Sequence, residues 1–205
     1  NLSQANLSGA NLFQANLSQA DLTGAELKDV KLDGAILCHT IMPNAEKDYS
    51  NCKNADLSQA NLRNENLNGA HLNDANLSQA NLSGTNLFQA NLSGANLSGA
   101  GLSDANLSGA GLSDANLTWS NLSQANLRNA NLRNANLRGA DLTGADLKDV
   151  KLDGAILCHT TMPNGEKVYS NCKYANLSGA NLSPADLSNA NLSNANLSNA
   201  NLSGA

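Results

Sequence analysis

Leucine recurs at every fifth residue through most of the chain, and the residues between are small or polar. The pattern is unbroken from Asn76 to Ala115. Leu77, Leu82, Leu87, Leu92, Leu97, Leu102, Leu107 and Leu112 each follow a small residue two places earlier and, in most pentads, Asn one place earlier. With leucine as position i, the alternation small–polar–leucine sends i−2 and i to one side and i−1 to the other, as in a strand. The next two residues must turn a corner. A type II turn needs positive φ at its third residue, which suits Gly84, Gly94, Asn129 and Asn134 at i+2. A helix is excluded, because five residues at about 100° each scatter the leucines around the cylinder. Four such strand-and-corner units close a square, and the next coil stacks about 4.8 Å above it. Parallel crossovers are right-handed. The pattern therefore predicts an all-β, right-handed quadrilateral parallel β-helix, with leucine filling the interior and alanine leaving room for it.

These residues resemble the pentapeptide-repeat family, whose consensus is Ala-(Asn/Asp)-Leu-x-x and whose members form such quadrilateral β-helices. The likeness covers essentially the whole chain, which resembles bacterial, cyanobacterial-type members. The 205 residues make 41 pentads, 35 of them with Leu at i, or about ten coils in one solenoid domain spanning 1–205.

Two stretches break the text. In 37–55 the frame of five survives, but the i residues become Met42, Lys47 and Cys52. Met42 and Cys52 suit the interior; Lys47 does not, and Pro43-Asn44 is a turn signal. The prediction is a loop within 43–51. Asp21–Ala55 and Asp141–Ala175 agree at 30 of 35 positions, so a second loop is expected at 163–171. The copies lie 120 residues apart. They share one face if no pentad leaves the coil, and differ by a quarter turn if each loop expels one.

Smaller irregularities carry their own expectations. Phe13, His71 and Trp119 should lie outside, and Pro184 should occupy a corner. Glu65 stands at i−2, where alanine belongs; its expected partner is Thr85 one coil on, the alternative being a corner opened to solvent.

Candidate chemistry centres on Cys38, Cys52, Cys158 and Cys172, each pair flanking a predicted loop. One reading is a disulfide across each loop, although Cys38 and Cys158 at i+1 nominally point outward. The other is a buried Cys52 and Cys172 with free thiols at Cys38 and Cys158. Free thiols would place the chain in the cytoplasm, and disulfides in a periplasm or lumen. Cys38, His39 and Cys52 are one ligand short of a closed zinc site, so no metal and no cofactor are expected. Nucleophile elbows, phosphate loops and metalloprotease helices are absent from the sequence. A leucine-filled coil also has no pocket, so no enzyme is expected.

Formal charge is −5 with 14% charged residues, which argues against a polyanion-binding surface. Arg128, Arg133 and Arg138 fall on three successive faces and form no stripe, so nucleic acid is not an expected partner. No apolar run is long enough to span a membrane. The first functional expectation is a structural scaffold that binds an unidentified protein. Its contact residues would be Pro43, Asn44, Glu46, Lys47 and Tyr49, with Pro163, Asn164, Glu166, Lys167 and Tyr169. The resemblance implies an alternative: relatives that mimic B-form DNA and bind a type II topoisomerase. They need denser acidic faces than this chain offers. A water-ordering surface would want regular threonine arrays, which are absent. Open coil ends invite end-to-end association. The near-consensus text also fits a repeat domain of a larger protein or an engineered array.

Overall fold

The computed structural model describes residues 1–173, 177, 178, 182, 187 and 191–204. Pro184 lies outside the described residues. The chain winds as a coil whose parallel bridges join residues 20 apart, as in Asn76↔Asn96 and Asn96↔Asn116. Each arm is so short between corners that it contributes one bridge rather than a continuous strand. The longer elements are four two-residue strands: β1 (Thr40–Ile41), β2 (Lys47–Asp48), β3 (Thr160–Thr161) and β4 (Lys167–Val168).

The pentad accounts for all five of its backbone N–H groups. In Ala75–Gln79, Ala75 N donates to Leu72 O at 3.1 Å and closes the corner. Asn76 N donates to Ala55 O on the preceding coil at 2.9 Å. Leu77 N and Gln79 N donate to Asn96 O and Ser98 O on the following coil, at 2.7 and 2.8 Å. The fifth, Ser78 N, points outward and takes Asn76 Oδ1 at 3.2 Å. This explains why i−1 is usually Asn or Asp: the side chain supplies the acceptor that the ladder lacks. Asn also donates its amide to the coil before it, as in Asn96 Nδ2 to Asn76 Oδ1 at 3.3 Å. Where Asp replaces Asn at position 21, the Thr23 hydroxyl and then the Thr23 amide hold its carboxyl below the ordinary range.

Outside the two hairpins, the described corners place a left-handed residue at i+2, glycine at some and Gln4, Asp104, Asn129 or Trp119 (φ 57°) at others. Non-glycine residues there cost about 1 kcal/mol each, which the corner and ladder bonds offset. The i+2 side chain leans over the corner 20 residues further on. A Cβ on Gly139 would strike the Trp119 indole, and one on Gly144 would strike the Gln124 amide. Inside, the leucines from Leu72 to Leu137 are fully buried, each worth about 1.5–3 kcal/mol. Phe13 and Trp119 are exposed, at 58% and 62%, and His71 lies outside as well.

The ladder has an interruption. Bridges run from Asn6↔Glu26 to Asp21↔Ile41 and resume at Asn51↔His71, continuing to Asp141↔Thr161. Among the described residues, none joins 26–41 to the coil that follows. Leu27, Leu32 and Leu37 at that seam are only half-buried, whereas Leu62 and Leu67 just beyond it are buried.

Gly101 and Gly111 occupy i−1 and provide no outward acceptor. A Cβ on Gly101 meets nothing nearer than Ser83 Oγ at 3.7 Å. Gly101→Asn is therefore expected to raise stability by about 1 kcal/mol in urea unfolding. Asn96→Ala should lower it by about 1–2 kcal/mol, because the Ser98 and Asn116 amides lose their acceptor.

Candidate functional site

The two irregular segments fold as antiparallel hairpins. β1 pairs β2 with Thr40 opposite Asp48 and Ile41 opposite Lys47. β3 pairs β4 with Thr160 opposite Val168 and Thr161 opposite Lys167. The turn is built alike in both. Ala45 N and Gly165 N donate to Met42 O and Met162 O at 2.8 and 2.9 Å. Met42 N and Met162 N donate to Glu46 O and Glu166 O, both at 2.7 Å. Proline presets the second turn residue, and the residue after Asn is left-handed, with φ 65° at Ala45 and 83° at Gly165. At the tip, Asn44 Nδ2 donates to Glu46 Oε2 at 2.9 Å, and Asn164 Nδ2 to Glu166 Oε2 at 2.7 Å. Behind each hairpin, the buried hydroxyls of Thr40 and Thr160 donate to Leu17 O and Leu137 O, each at 2.7 Å.

Cys38 and Cys52 are joined in a disulfide with Cα atoms 4.6 Å apart, and Cys158 and Cys172 in another at 4.9 Å. Cys38 and Cys158 are buried rather than outward-facing. Each sits in a regular corner, with Thr40 N and Thr160 N donating to Leu37 O and Leu157 O and with His39 and His159 left-handed, and the chain reversal brings the partner cysteine back over it. The same reversal corrects the expectation for Tyr49 and Tyr169. Both are buried, at 4% and 3% exposure, and are not surface contact residues. Each stacks on a histidine: Tyr49 on His39 at 5.5 Å, and Tyr169 on His159 at 5.8 Å. Asn44, Glu46, Lys47, Asn164, Glu166 and Lys167 are exposed, and Pro43 and Pro163 are half-buried.

Glu65 takes neither role expected of it. Its corner stays closed, with Glu65 N donating to Leu62 O at 3.1 Å, and Thr85 Oγ1 donates to Leu62 O at 2.7 Å. The carboxylate instead pairs with Lys47 Nζ at 2.6 Å, tying β2 to the next coil. Position 185, the counterpart of Glu65, is Ala, and Lys167 turns to His159 Nε2 at 3.1 Å. An ammonium has only donors, so this contact requires a neutral His159 with its proton on Nδ1. Trp119 meets His159 edge-on at 5.8 Å, completing an aromatic cluster that pentad spacing alone conceals. Its signal is the offset of 40 residues, which is two coils.

Burial, then Lys167, pushes His159 below its ordinary pKa; burial and Lys47 do the same to His39, against an opposing pull from Glu65. Burial, followed by the Glu65 charge, raises the Tyr49 phenol. The hairpin makes a surface cleft of about 450 Å³ between Met42–Ser50 and Asn66–Ala70. The cleft arises where the chain leaves the leucine-filled coil. Arg128 and Arg133 pair with Asp146 and Asp153, at 3.1 and 2.9 Å.

The Pentapeptide repeats family model matches residues 1–37, 50–87, 85–124, 120–157 and 170–205. The matched stretches omit both hairpins. Among solved structures, the chain is similar to HetL, a pentapeptide repeat protein involved in heterocyst differentiation regulation in the cyanobacterium Nostoc. Identity is 32% over 82% of this chain and 93% of that one, with a TM-score of 0.29. A pentapeptide repeat protein from the cyanobacterium Cyanothece is 35% identical over 59% of this chain and 92% of its own, with a TM-score of 0.33. One from the Arabidopsis thaliana thylakoid lumen is 31% identical over 54% and 63%, with a TM-score of 0.24. No curated protein matches the chain. The family match carries with it the right-handed quadrilateral β-helix.

Two outcomes are expected at this site. Ala45→Gly should stabilise by about 0.5 kcal/mol and Gly165→Ala should destabilise by about 0.5–1 kcal/mol in denaturant unfolding, since the left-handed position penalises a Cβ. Trp119 is the only tryptophan, so its fluorescence reports His159. Quenching on acidification should have a midpoint below about 6.5 and vanish in His159→Gln. The unfolded chain binds that proton more readily, so the histidines' contribution to stability is present above about pH 6.5 and is lost as pH falls toward the lowered folded-state pKa.

Proposed function

We propose that this chain, which belongs to the pentapeptide-repeat family, is a non-enzymatic scaffold whose two hairpin tips engage a protein partner. The observation that carries this reading is the recurrence of one tip at two points of one solenoid, 120 residues apart. Asn44 and Glu46 in the first tip, and Asn164 and Glu166 in the second, make the same two contacts to one another. Turn geometry fixed by those bonds presents Lys47 and Lys167 beside them at little cost in ordering on binding. Two equal tips on one support suit a partner with repeated sites, for which linkage multiplies affinity by about 10²–10⁴. The paired arginines offer no phosphate-tracking stripe, which favours a protein over a nucleic acid. Closed disulfides fit an oxidising compartment such as a periplasm or lumen.

The test is a crosslinking pull-down from the source cells with wild type, N44A/E46A, N164A/E166A and the four-fold variant. Partners should be retained more weakly by each double variant, by about tenfold or more, and lost by the four-fold variant. Retention of every partner at unchanged strength by the four-fold variant would remove the reading.

A further inference from the structure

The first hairpin sits at the only interruption of the ladder between residues 6 and 161 among the described residues. The amides of Leu27, Asp29, Leu32 and Gly34 stand where their counterparts elsewhere donate to the next coil, and no such bond is made among the described residues. What crosses the seam is of another kind. The Cys38–Cys52 disulfide spans it covalently. Asn51 Nδ2 reaches back to Ala35 O at 3.0 Å. Tyr49 stacks on His39, and Lys47 pairs with Glu65. Coil-to-coil backbone bonding is thus replaced by one covalent bond and a few side-chain contacts.

The two stacks are unequal. Residues 51–161 carry several consecutive layers of bridges, whereas 6–41 carry one. Solenoid stability is a sum of nearest-neighbour interfaces, and a short array without neighbours does not persist. The short stack leans on the seam.

We propose that Cys38–Cys52 is the latch of a joint, and that its thiol–disulfide state decides whether the stack before the hairpin is held to the stack after it. Opening requires a dithiol reductant. One of its thiolates attacks a cystine sulfur, forming a mixed disulfide and releasing the other cysteine as a thiolate. The reductant's second thiolate then displaces the remaining cysteine, leaving Cys38 and Cys52 as thiols and the reductant as a disulfide, with two electrons transferred. Cys38 and Cys52 are 1% and 0% exposed, so attack follows loosening of the seam. A cleft of about 230 Å³, lined by Ile36 and Cys38 on one side and Lys53–Leu57 on the other, marks where it starts.

Hydrogen exchange read by mass spectrometry on the full chain tests this. In C38S/C52S, protection over 6–41 should fall at least tenfold while 71–141 is unchanged. C158S/C172S should leave 6–41 protected. Wild type reduced with dithiothreitol should behave as C38S/C52S and recover on reoxidation, which guards against a defect of the serine substitutions. Unchanged protection over 6–41 in both the reduced protein and the variant would overturn the proposal. So would joint loss of protection over 6–41 and 71–141, since the stacks would then be one cooperative unit.

Discussion

A backbone amide in this molecule has no acceptor inside the coil, where only leucine, alanine and a few hydroxyls lie. It must find a carbonyl on the coil above or below, at the corner, or on the neighbouring asparagine. Three of the five amides in a pentad run between coils, one closes the corner and one goes to the i−1 side chain. That accounting holds only if each coil contains 20 residues. A pentad one residue longer would carry the next leucine outside and leave its amides facing the wrong atoms. Uniform pentad length over so much of the chain follows from this commensurability rather than from the chemistry of any side chain.

The hairpins show how the backbone leaves the coil with its own bonding partners, while the buried Tyr49 hydroxyl is left without one. β1 and β2 bond to each other, so the departing backbone supplies its own acceptors. Tyr49 and the Cys38–Cys52 disulfide fill the interior at the point where a leucine layer is missing. Thr40 uses its hydroxyl on the carbonyl of Leu17. The exposed Lys47–Glu65 pair is worth at most about 1 kcal/mol, so it orients the hairpin more than it stabilises the fold.

The coil was legible because its rule is local and repeated. Leucine, alanine and the turn residues each declare their place, and Phe13, His71 and Trp119 follow from position alone. Legibility ended where the chain reverses direction. Tyr49 and Cys38 read as outward from the frame of five, yet the antiparallel turn resets the face of Tyr49 and folds Cys52 back over Cys38. Glu65 was recognisable as misplaced, but its partner lies on a hairpin whose position the frame does not encode. The contact between Trp119 and His159 needs the coil length squared against the lean of the corner side chains, which no single pentad reveals.

That lean has a consequence for how such a chain can grow. Backbone bonding is indifferent to which coil lies above which, so a 20-residue unit could be copied or removed without disturbing the ladder. The corners are not indifferent. Trp119 lies over Gly139, and deleting the coil that carries Gly139 would bring His159, with its Cβ, under the indole. Recombination of the rod is therefore phased at its bulkiest corner: Gln79 follows Gln59 and Gln124 follows Asp104 one coil on, but the Trp119 indole calls for a glycine ahead of it.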